Sequence, residues 1–461
     1  MDRLTMKDLV VLLPGITGSV LRKHGKVVWG YSAATIAGAL FTGGAKVREA
    51  LALPHDDPDV DDLGDGITAD ELMPDLHLIP GLWKIDGYGA VADALLDKFE
   101  LTEGRNFFRF PYDWRRHNKV AARKLARATH DWLRAWRAAG HTDAKLILIA
   151  HSMGGIVSRY FLECMEGWKD TRALVTFGTP YRGSLNALDS LANGMKKGWV
   201  DLSPLARELT SLYQLLPVFE CYDSGDGELR RVGEMTGIPN VDAERAAAAL
   251  AFHREIEAAV ASNHALEAFE AAGYQTHPIV GVAQATQLSA RRRGNGVEML
   301  ETTGVEVPLG GDGTVPRYSA IPIEMSKDWR GSMFAATKHG SLQNAGGVLD
   351  HVTGVLSGFG LDLGGFRKPK VQVALELDDV LEPGQPLLVR ARPVKPGVAL
   401  EAVLERASGE EVARAKPRPA TDDWLIAEFA PPAPGAYRIS VTGSDIETAQ
   451  DAFVVLQGKR P

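Results

Sequence analysis

The stretch LILIAHSMGGIVSRY, residues 146–160, limits what this chain can fold into more than any other part of it. Residues 145–150 (KLILIA) are almost wholly apolar, as a central parallel strand covered on both faces must be. A helical pattern follows within a few residues, and Ser152 stands at the junction with Ala150 and Gly154 on either side. Small-x-Ser-x-small between strand and helix is the context of a nucleophile elbow, a turn so tight that bulky flanking side chains would clash. Such a turn lifts the hydroxyl above the sheet at a helix N-terminus, where the helix dipole favours developing negative charge. Ser152 is therefore expected to be a nucleophile. Without that strand and helix, the same pattern would suit a structural serine in a helical first turn equally well.

The surrounding sequence supports a sheet of this kind. Residues 8–13 (DLVVLL) predict a buried strand ended by Pro14-Gly15, and 119–139 predict a helix with Leu125, Trp132, Leu133 and Trp136 on one face, closed by Gly140. A helix over 154–168 and strands over 173–177 and 277–283 continue the alternation, with a weaker strand at 332–336. Strand–helix alternation indicates an α/β fold with a mostly parallel sheet, placed here in a domain of residues 1–365. Between 185 and 275 the pattern becomes helical and Ala-rich without a clear buried strand, and predicts a cap or lid insertion. The linker 364–369 (GGFRKP) marks a boundary. Beyond it, alternating runs at 371–377, 387–392, 399–405, 424–429 and 437–441, separated by Pro/Gly turns, predict an all-β immunoglobulin-like sandwich over 370–458.

A nucleophilic serine needs a base, and the base a carboxylate to orient it. Behind a nucleophile elbow the chain order is serine, acid, histidine. Asp312 sits in the Gly-rich turn Gly310-Gly311-Asp312-Gly313-Thr314-Val315-Pro316, which can present a carboxylate sharply; in isolation it would read as a plain turn aspartate. Of twelve histidines only His339 and His351 follow it. His339 lies in a loop after a strand candidate, whereas His351 falls within a predicted helix over 348–359, so His339 is the expected base. His151 is expected to point away from the elbow apex into the core. The tetrahedral intermediate needs two backbone donors, expected from Met153 and from Ile16 in the glycine turn Pro14-Gly15-Ile16-Thr17-Gly18-Ser19. That turn is no P-loop, since no Gly-Lys-Ser/Thr follows.

Other classes are disfavoured. The 461 residues carry a net charge of −8 with scattered basic residues, which gives nucleic acid no electrostatic footprint. The acidic run 56–70 fails as an EF-hand, because Leu63 falls at the third position and the required glutamate is out of register; a solvated loop is the expectation. No His/Cys cluster has zinc spacing, and no cofactor is implied. The two cysteines, Cys164 and Cys221, are read as free thiols. No secretory signal or transmembrane-length run is visible, so cytoplasmic residence is the expectation, with a membrane approached from its surface.

Six motifs together resemble the lecithin:cholesterol acyltransferase-like α/β-hydrolases, which include lysosomal phospholipase A2. They are LPGITGS at 13–19, FPYDWR at 110–115, AHSMGG at 150–155, FGTPYRGS at 177–184, YQLLP at 213–217 and GDGTVP at 311–316. The resemblance covers roughly the first 345 residues and leaves out the β domain. It implies an α/β-hydrolase fold and a triad of Ser152, Asp312 and His339, and it sets the oxyanion loop at Pro14-Gly15-Ile16. Asp113 and Arg115 are implied to be architectural, fixing a loop beside the pocket. The disulfides and signal peptide of secreted animal members are not visible in this sequence, so their lipoprotein biology is not expected to transfer.

The resulting expectation is a serine-dependent lipid acyl-ester hydrolase or acyltransferase, of phospholipase or lipase type, whose acyl-enzyme is released to water or an alcohol. Leu212, Tyr213 and Leu216 in the lid are the expected acyl-chain contacts, although each would serve equally as helix core. A different class fits the β domain: a non-catalytic or regulated binding module that recognises lipid, protein or glycan surfaces.

Overall fold

The computed structural model describes residues 3–30, 44–73, 77–79, 83–197, 200–302, 310–359, 373–395, 397–406, 408–420, 423–443, 446 and 448–456. The chain divides into two compact units, Met1–Gly360 and Leu361–Pro461. The linker at 364–369 lies outside the described residues.

The first unit is built on six strands: β1 (Leu9–Leu13), β2 (Phe107–Arg109), β3 (Leu146–His151), β4 (Thr171–Phe177), β5 (Gln275–Gly281) and β6 (Met333–Ala335). They lie in the order β2-β1-β3-β4-β5-β6, and every neighbouring pair is parallel. Every residue of β1 and of β3 is buried, which is why both read as unbroken apolar runs rather than alternating ones. The chain leaves β1 for β2 on one side of the sheet and returns to β3 on the other. A crevice forms outside the carboxyl ends of β1 and β3, where the strand order reverses. The functional loops lie at those ends.

Helices α1 (Gly89–Lys98), α2 (Asn118–Ala138) and α3 (Met153–Cys164) follow β-strands or precede them in the expected alternation. In α2 the buried stripe runs through Val120, Ala121, Leu125, Leu133 and Trp136, while Trp132 leaves it half-way to stack on Phe108 with ring centroids 4.0 Å apart. The His117 ring caps the helix by accepting the Lys119 N–H, and Gly140 (φ 109°) ends it. Helix α3 stops at Cys164, earlier than its pattern suggested. Glu166 turns into left-handed backbone, and a 3-10 turn over Gly167–Asp170 delivers the chain into β4.

The insertion between β4 and β5 carries α4 (Leu185–Ala192), α5 (Ser203–Glu208), α6 (Thr210–Tyr213) and α7 (Ala243–His264). It also holds the short strands Tyr222–Asp223 and Leu229–Arg230, which join Ser289–Arg293 and Gly296–Leu300 in a four-stranded sheet. Two-residue strands are too short for periodicity to register, so the insertion reads as purely helical from its sequence when it is not. The closing helix α8 (Gly346–Gly358) buries Val348, Val352 and Leu356, and His351 sits half-buried on it.

The second unit is mostly β. A four-stranded sheet contains Val373–Glu376, Leu387–Pro393, Leu425–Phe429 and Arg418–Pro419; a five-stranded one contains Val380–Leu381, Ala449–Val455, Gly435–Thr442, Glu401–Arg406 and Glu411–Ala415. One apolar core joins them, with Leu387, Val389, Ala427 and Phe429 from the first sheet and Leu404, Ile439, Val441 and Phe453 from the second. Along Leu387–Ala391 inward and outward residues alternate, and Leu388 is half exposed between buried neighbours.

Candidate active site

Ser152 stands at the junction of β3 and α3 with φ 51° and ψ −122°, a backbone region that a side-chain-bearing residue adopts only when its surroundings enforce it. The enforcement is visible. The Ser152 N–H donates to the Phe177 carbonyl at 2.9 Å, and its carbonyl accepts from the Thr179 hydroxyl at 2.9 Å. A methyl group at Gly154 would stand 2.4 Å from the Pro14 carbonyl oxygen, and one at Gly155 would stand 2.0 Å from Thr179 Oγ1. Only glycine fits at either place.

Three side chains distant in sequence meet here. His339 Nε2 is 2.9 Å from Ser152 Oγ, and its Nδ1 is 2.7 Å from Asp312 Oδ2. Asp312 is buried in a turn where its Oδ1 accepts from the N–H groups of Thr314 and Val315 at 2.9 and 2.7 Å. The carboxylate is thus held from one side and faces the imidazole with the other. The His339 N–H donates to the Asp312 carbonyl at 2.9 Å, a second tie between the two loops. His339 opens a 3-10 turn after β6, at the carboxyl edge of the sheet.

Beside Ser152, Gly15, Ile16 and Thr17 line the same cavity. Thr17 takes a positive φ of 63°, unusual for a β-branched residue. The turn is anchored by the segment 110–114: Tyr112 Oη donates to the Pro14 carbonyl at 2.9 Å, and the indole N–H of Trp114 to the Ser19 carbonyl at 3.1 Å. Trp29 donates to the Thr17 carbonyl at 3.0 Å. These contacts explain why the motifs at 13–19 and 110–115 occur together. Met153 is buried at the first position of α3, where a backbone N–H has no acceptor within its own helix.

Arg115 holds both Asp113 and Asp65, each at 2.7 Å, and donates to the carbonyls of Leu51 and Ala52. The acidic run is therefore not a merely solvated loop. Asp56 pairs with Arg116 at 3.0 Å, both nearly fully buried, and Asp61 pairs with Arg123 at 2.8 Å and with Arg127. The run is strapped to the start of α2 and its preceding turn by arginines. Among the described residues no cluster of His, Cys, Asp or Glu is placed to hold a metal ion, and no helix is long and apolar enough to cross a membrane. Cys221 is a buried free thiol and Cys164 a half-buried one.

The cavity at Ser152 has a volume of about 570 Å³. Its far wall comes from the insertion: Asn186, Ala187, Ser190, Met195, Leu212 and Leu215. Of the expected acyl contacts Leu212 is there, but Tyr213 and Leu216 are not among the lining residues. Helix α6 is a single turn, so adjacent positions point in different directions. The Tyr213 hydroxyl instead accepts the Asp242 N–H at 3.3 Å, with the Arg245 guanidinium over its ring.

His151 is placed differently from expectation. It is buried, but beside the site, with ring centroids 4.9 Å from His339; Nε2 lies 3.1 Å from the His339 carbonyl oxygen and Nδ1 2.9 Å from Tyr88 Oη. Burial, reinforced by repulsion from His339, pushes its pKa down to about 3, so it is neutral at physiological pH. Tyr88 was not singled out from the sequence, where nothing distinguishes it from a core tyrosine.

Residues 84–229 match the family model of lecithin:cholesterol acyltransferase. Ser152 lies inside that segment, and Ile16, Asp312 and His339 lie outside it. A human lysosomal phospholipase A and acyltransferase is 31% identical over 130 residues, which are 25% of this chain and 29% of that protein's length. Among solved structures, a chain of the Tle4–Tli4 complex is similar with a TM-score of 0.50 at 15% identity, covering 78% of this chain and 98% of that one. The propeptide form of the Bacillus licheniformis lipase BlEst2 overlaps more loosely, with a TM-score of 0.32 at 12% identity over 98% of this chain and 75% of that one. Segment 84–229 is thus similar in sequence to the lecithin:cholesterol acyltransferase family, and the chain spans less than a third of the length of the curated relative it matches.

Proposed function

We propose that this protein is a serine-dependent lipid acyl-ester hydrolase or acyltransferase. The observation that carries the reading is the continuous hydrogen-bonded line from Ser152 Oγ through His339 to Asp312, opening into a cavity. Ser152 Oγ attacks the ester carbonyl as His339 Nε2 takes its proton, and Asp312 keeps the imidazole aligned and stabilises it once charged. The oxyanion of the tetrahedral intermediate is received by the N–H groups of Met153 and Ile16. Collapse returns the proton from His339 to the departing alcohol and leaves an acyl-Ser152. Water or a second alcohol, deprotonated in turn by His339, then releases the acyl group. The insertion over 185–275 acts as the lid, with Leu212 and Leu215 against the acyl chain.

In this reading the protein works in the cytoplasm, consistent with its free thiols, and approaches lipid from the membrane surface. A phospholipid ester is the proposed donor, supported by the similarity to a phospholipase A and acyltransferase. The β unit, with Val380, Leu388, Val454 and Leu456 exposed, is the proposed contact element toward a lipid, protein or glycan surface.

The test is turnover of p-nitrophenyl acyl esters across chain lengths by wild type and Ser152→Ala. Wild type is expected to turn over at least one ester, and Ser152→Ala to lose about 10⁴-fold or more in kcat. Turnover that survives Ser152→Ala, or none at any chain length, would sink the reading. Mass-spectrometric lipid profiling of membrane extract treated with each form then separates hydrolysis from acyl transfer.

A further inference from the structure

His151 and Tyr88 have no part in the chemistry just described, yet their hydrogen positions are fully determined. The Gly15 N–H can only donate, and it meets Tyr88 Oη at 2.8 Å. A phenol has one hydrogen, and with its oxygen accepting from Gly15 that hydrogen goes to His151 Nδ1, 2.9 Å away. Nδ1 is then bare, so the neutral imidazole carries its proton on Nε2, which faces the His339 carbonyl oxygen at 3.1 Å. One assignment satisfies every atom: Gly15 N–H to Tyr88, Tyr88 O–H to His151, His151 N–H to the His339 carbonyl.

The two ends of this line lie on two separate loops of the site. Gly15 adjoins Ile16 in the turn after β1, and His339 belongs to the loop after β6. A methyl group at Gly15 would lie 2.9 Å from Ser152 Cβ and 3.1 Å from His151 Nδ1, so the turn rests directly on the elbow. Tyr88 follows a segment that also grips the His339 loop. Asp86 N–H donates to the Gly340 carbonyl at 3.0 Å, Gln343 Nε2 donates to the Gly87 carbonyl at 2.9 Å, and Asn344 Nδ2 donates to the Asp86 carbonyl at 3.1 Å.

We propose that Tyr88 and His151 form a positioning relay, which fixes the turn carrying Ile16 against the loop carrying His339, and so aligns the oxyanion donor and the base on one substrate carbonyl. The proposal rests on the reading of Ser152 as nucleophile and His339 as base. Neither relay residue touches the reacting atoms. Their contribution is to kcat, through geometry that matters most in the transition state.

The experiment compares Tyr88→Phe, His151→Phe, the double variant and His151→Gln with wild type on a p-nitrophenyl ester. Rates are normalised to sites titrated to completion with a fluorophosphonate, so that misfolded protein is not counted. Tyr88→Phe and His151→Phe are each expected to lower kcat per titrated site by about 10- to 100-fold, leaving KM within about two-fold. The double variant is expected to be no slower than His151→Phe, because both changes cut one line. His151→Gln, whose amide can still donate to the His339 carbonyl, is expected to recover part of the loss. Wild-type kcat per site in Tyr88→Phe, a multiplicative loss in the double variant, or a His151→Gln no faster than His151→Phe would each overturn the relay. Tyr88→Phe removes one oxygen only, and decides the matter by itself if His151→Phe does not fold. The Ser152 reading fails separately, through retained turnover in Ser152→Ala.

Discussion

The floor beneath Ser152 and the wall facing it enclose one cavity but are built on opposite terms. The floor is glycine backbone pressed tight against its surroundings: a single methyl group would collide with Ser152 and His151 at Gly15, with the Pro14 carbonyl at Gly154 and with Thr179 at Gly155. The wall is side chains on short helices and a following turn of the insertion, Asn186, Ala187, Ser190, Leu212 and Leu215, which meet the cavity through replaceable groups. The floor fixes which reaction can be run. The wall decides what is admitted to it. A change in the floor should therefore cost turnover or folding, and a change in the wall should redistribute substrates.

The largest effect is expected at the acid. Asp312→Asn keeps the shape of the turn but no longer fixes the imidazole tautomer, and kcat on a p-nitrophenyl ester should drop about 10⁴-fold with thermal stability nearly unchanged. A loss below ten-fold would remove Asp312 from the floor's chemistry. Next comes Gly155→Val. Its added carbons must displace Thr179, whose hydroxyl holds the Ser152 carbonyl, and about 3 kcal/mol or more of stability should go with it. Chemical denaturation measures this, and an unchanged midpoint would show that the floor yields more than its geometry suggests.

A third prediction sets the floor and the region behind the wall on the same footing. Burial holds the His151 pKa down to about 3; for His117, beside Gln214, burial together with the nearby Lys119 holds it down to about 4. An unfolded chain would take up protons on both near pH 6.5 while the folded chain does not, so the unfolded state binds more protons on acidification. Their contribution to stability is complete above about pH 6.5 and is lost as pH falls toward those folded values. The melting temperature should drop by several degrees between pH 7 and pH 5, and less steeply in His151→Gln; equal slopes would sever His151 from the effect. The smallest effect belongs to the wall. Leu212→Trp should shift the preferred acyl chain toward shorter esters by a few-fold in kcat/KM, at unchanged melting temperature. A uniform loss across chain lengths would move Leu212 from wall to floor.

The same contrast explains what could be read from the sequence. The elbow was legible because sterics admit few residues there, so Ala150, Ser152 and Gly154 declare it, and the unbroken apolar runs of β1 and β3 declare a sheet buried on both faces. Asp312 and His339 could be picked out by chain order and loop context, and the structure brings both to Ser152. The insertion was legible only as an interruption. Which of Leu212, Tyr213, Leu215 and Leu216 faces the cavity depends on the pitch of one short turn, and apolar character cannot distinguish a cavity wall from a helix core. His151 was misplaced because its neighbours, Tyr88 and the His339 carbonyl, come from remote parts of the chain. The strand Ala449–Val455 escaped for another reason: Asp451 stands in register with buried Phe453 and Val455 while Ala452 and Val454 are exposed, so apolar character does not mark the inner face.

Ser152 and His339 touch across 187 positions of sequence, and Gly15 joins them from near the start of the chain. Contacts of such long range carry a loop-closure entropy that must be overcome before they form, and they are characteristic of slowly folding topologies. During synthesis, a ribosome that has made Ser152, the insertion and Asp312 has not yet made His339, which is encoded after all of them. On the reading proposed above, a partly made chain is therefore inactive until His339 has been made and the hydrogen-bonded line to Ser152 can close.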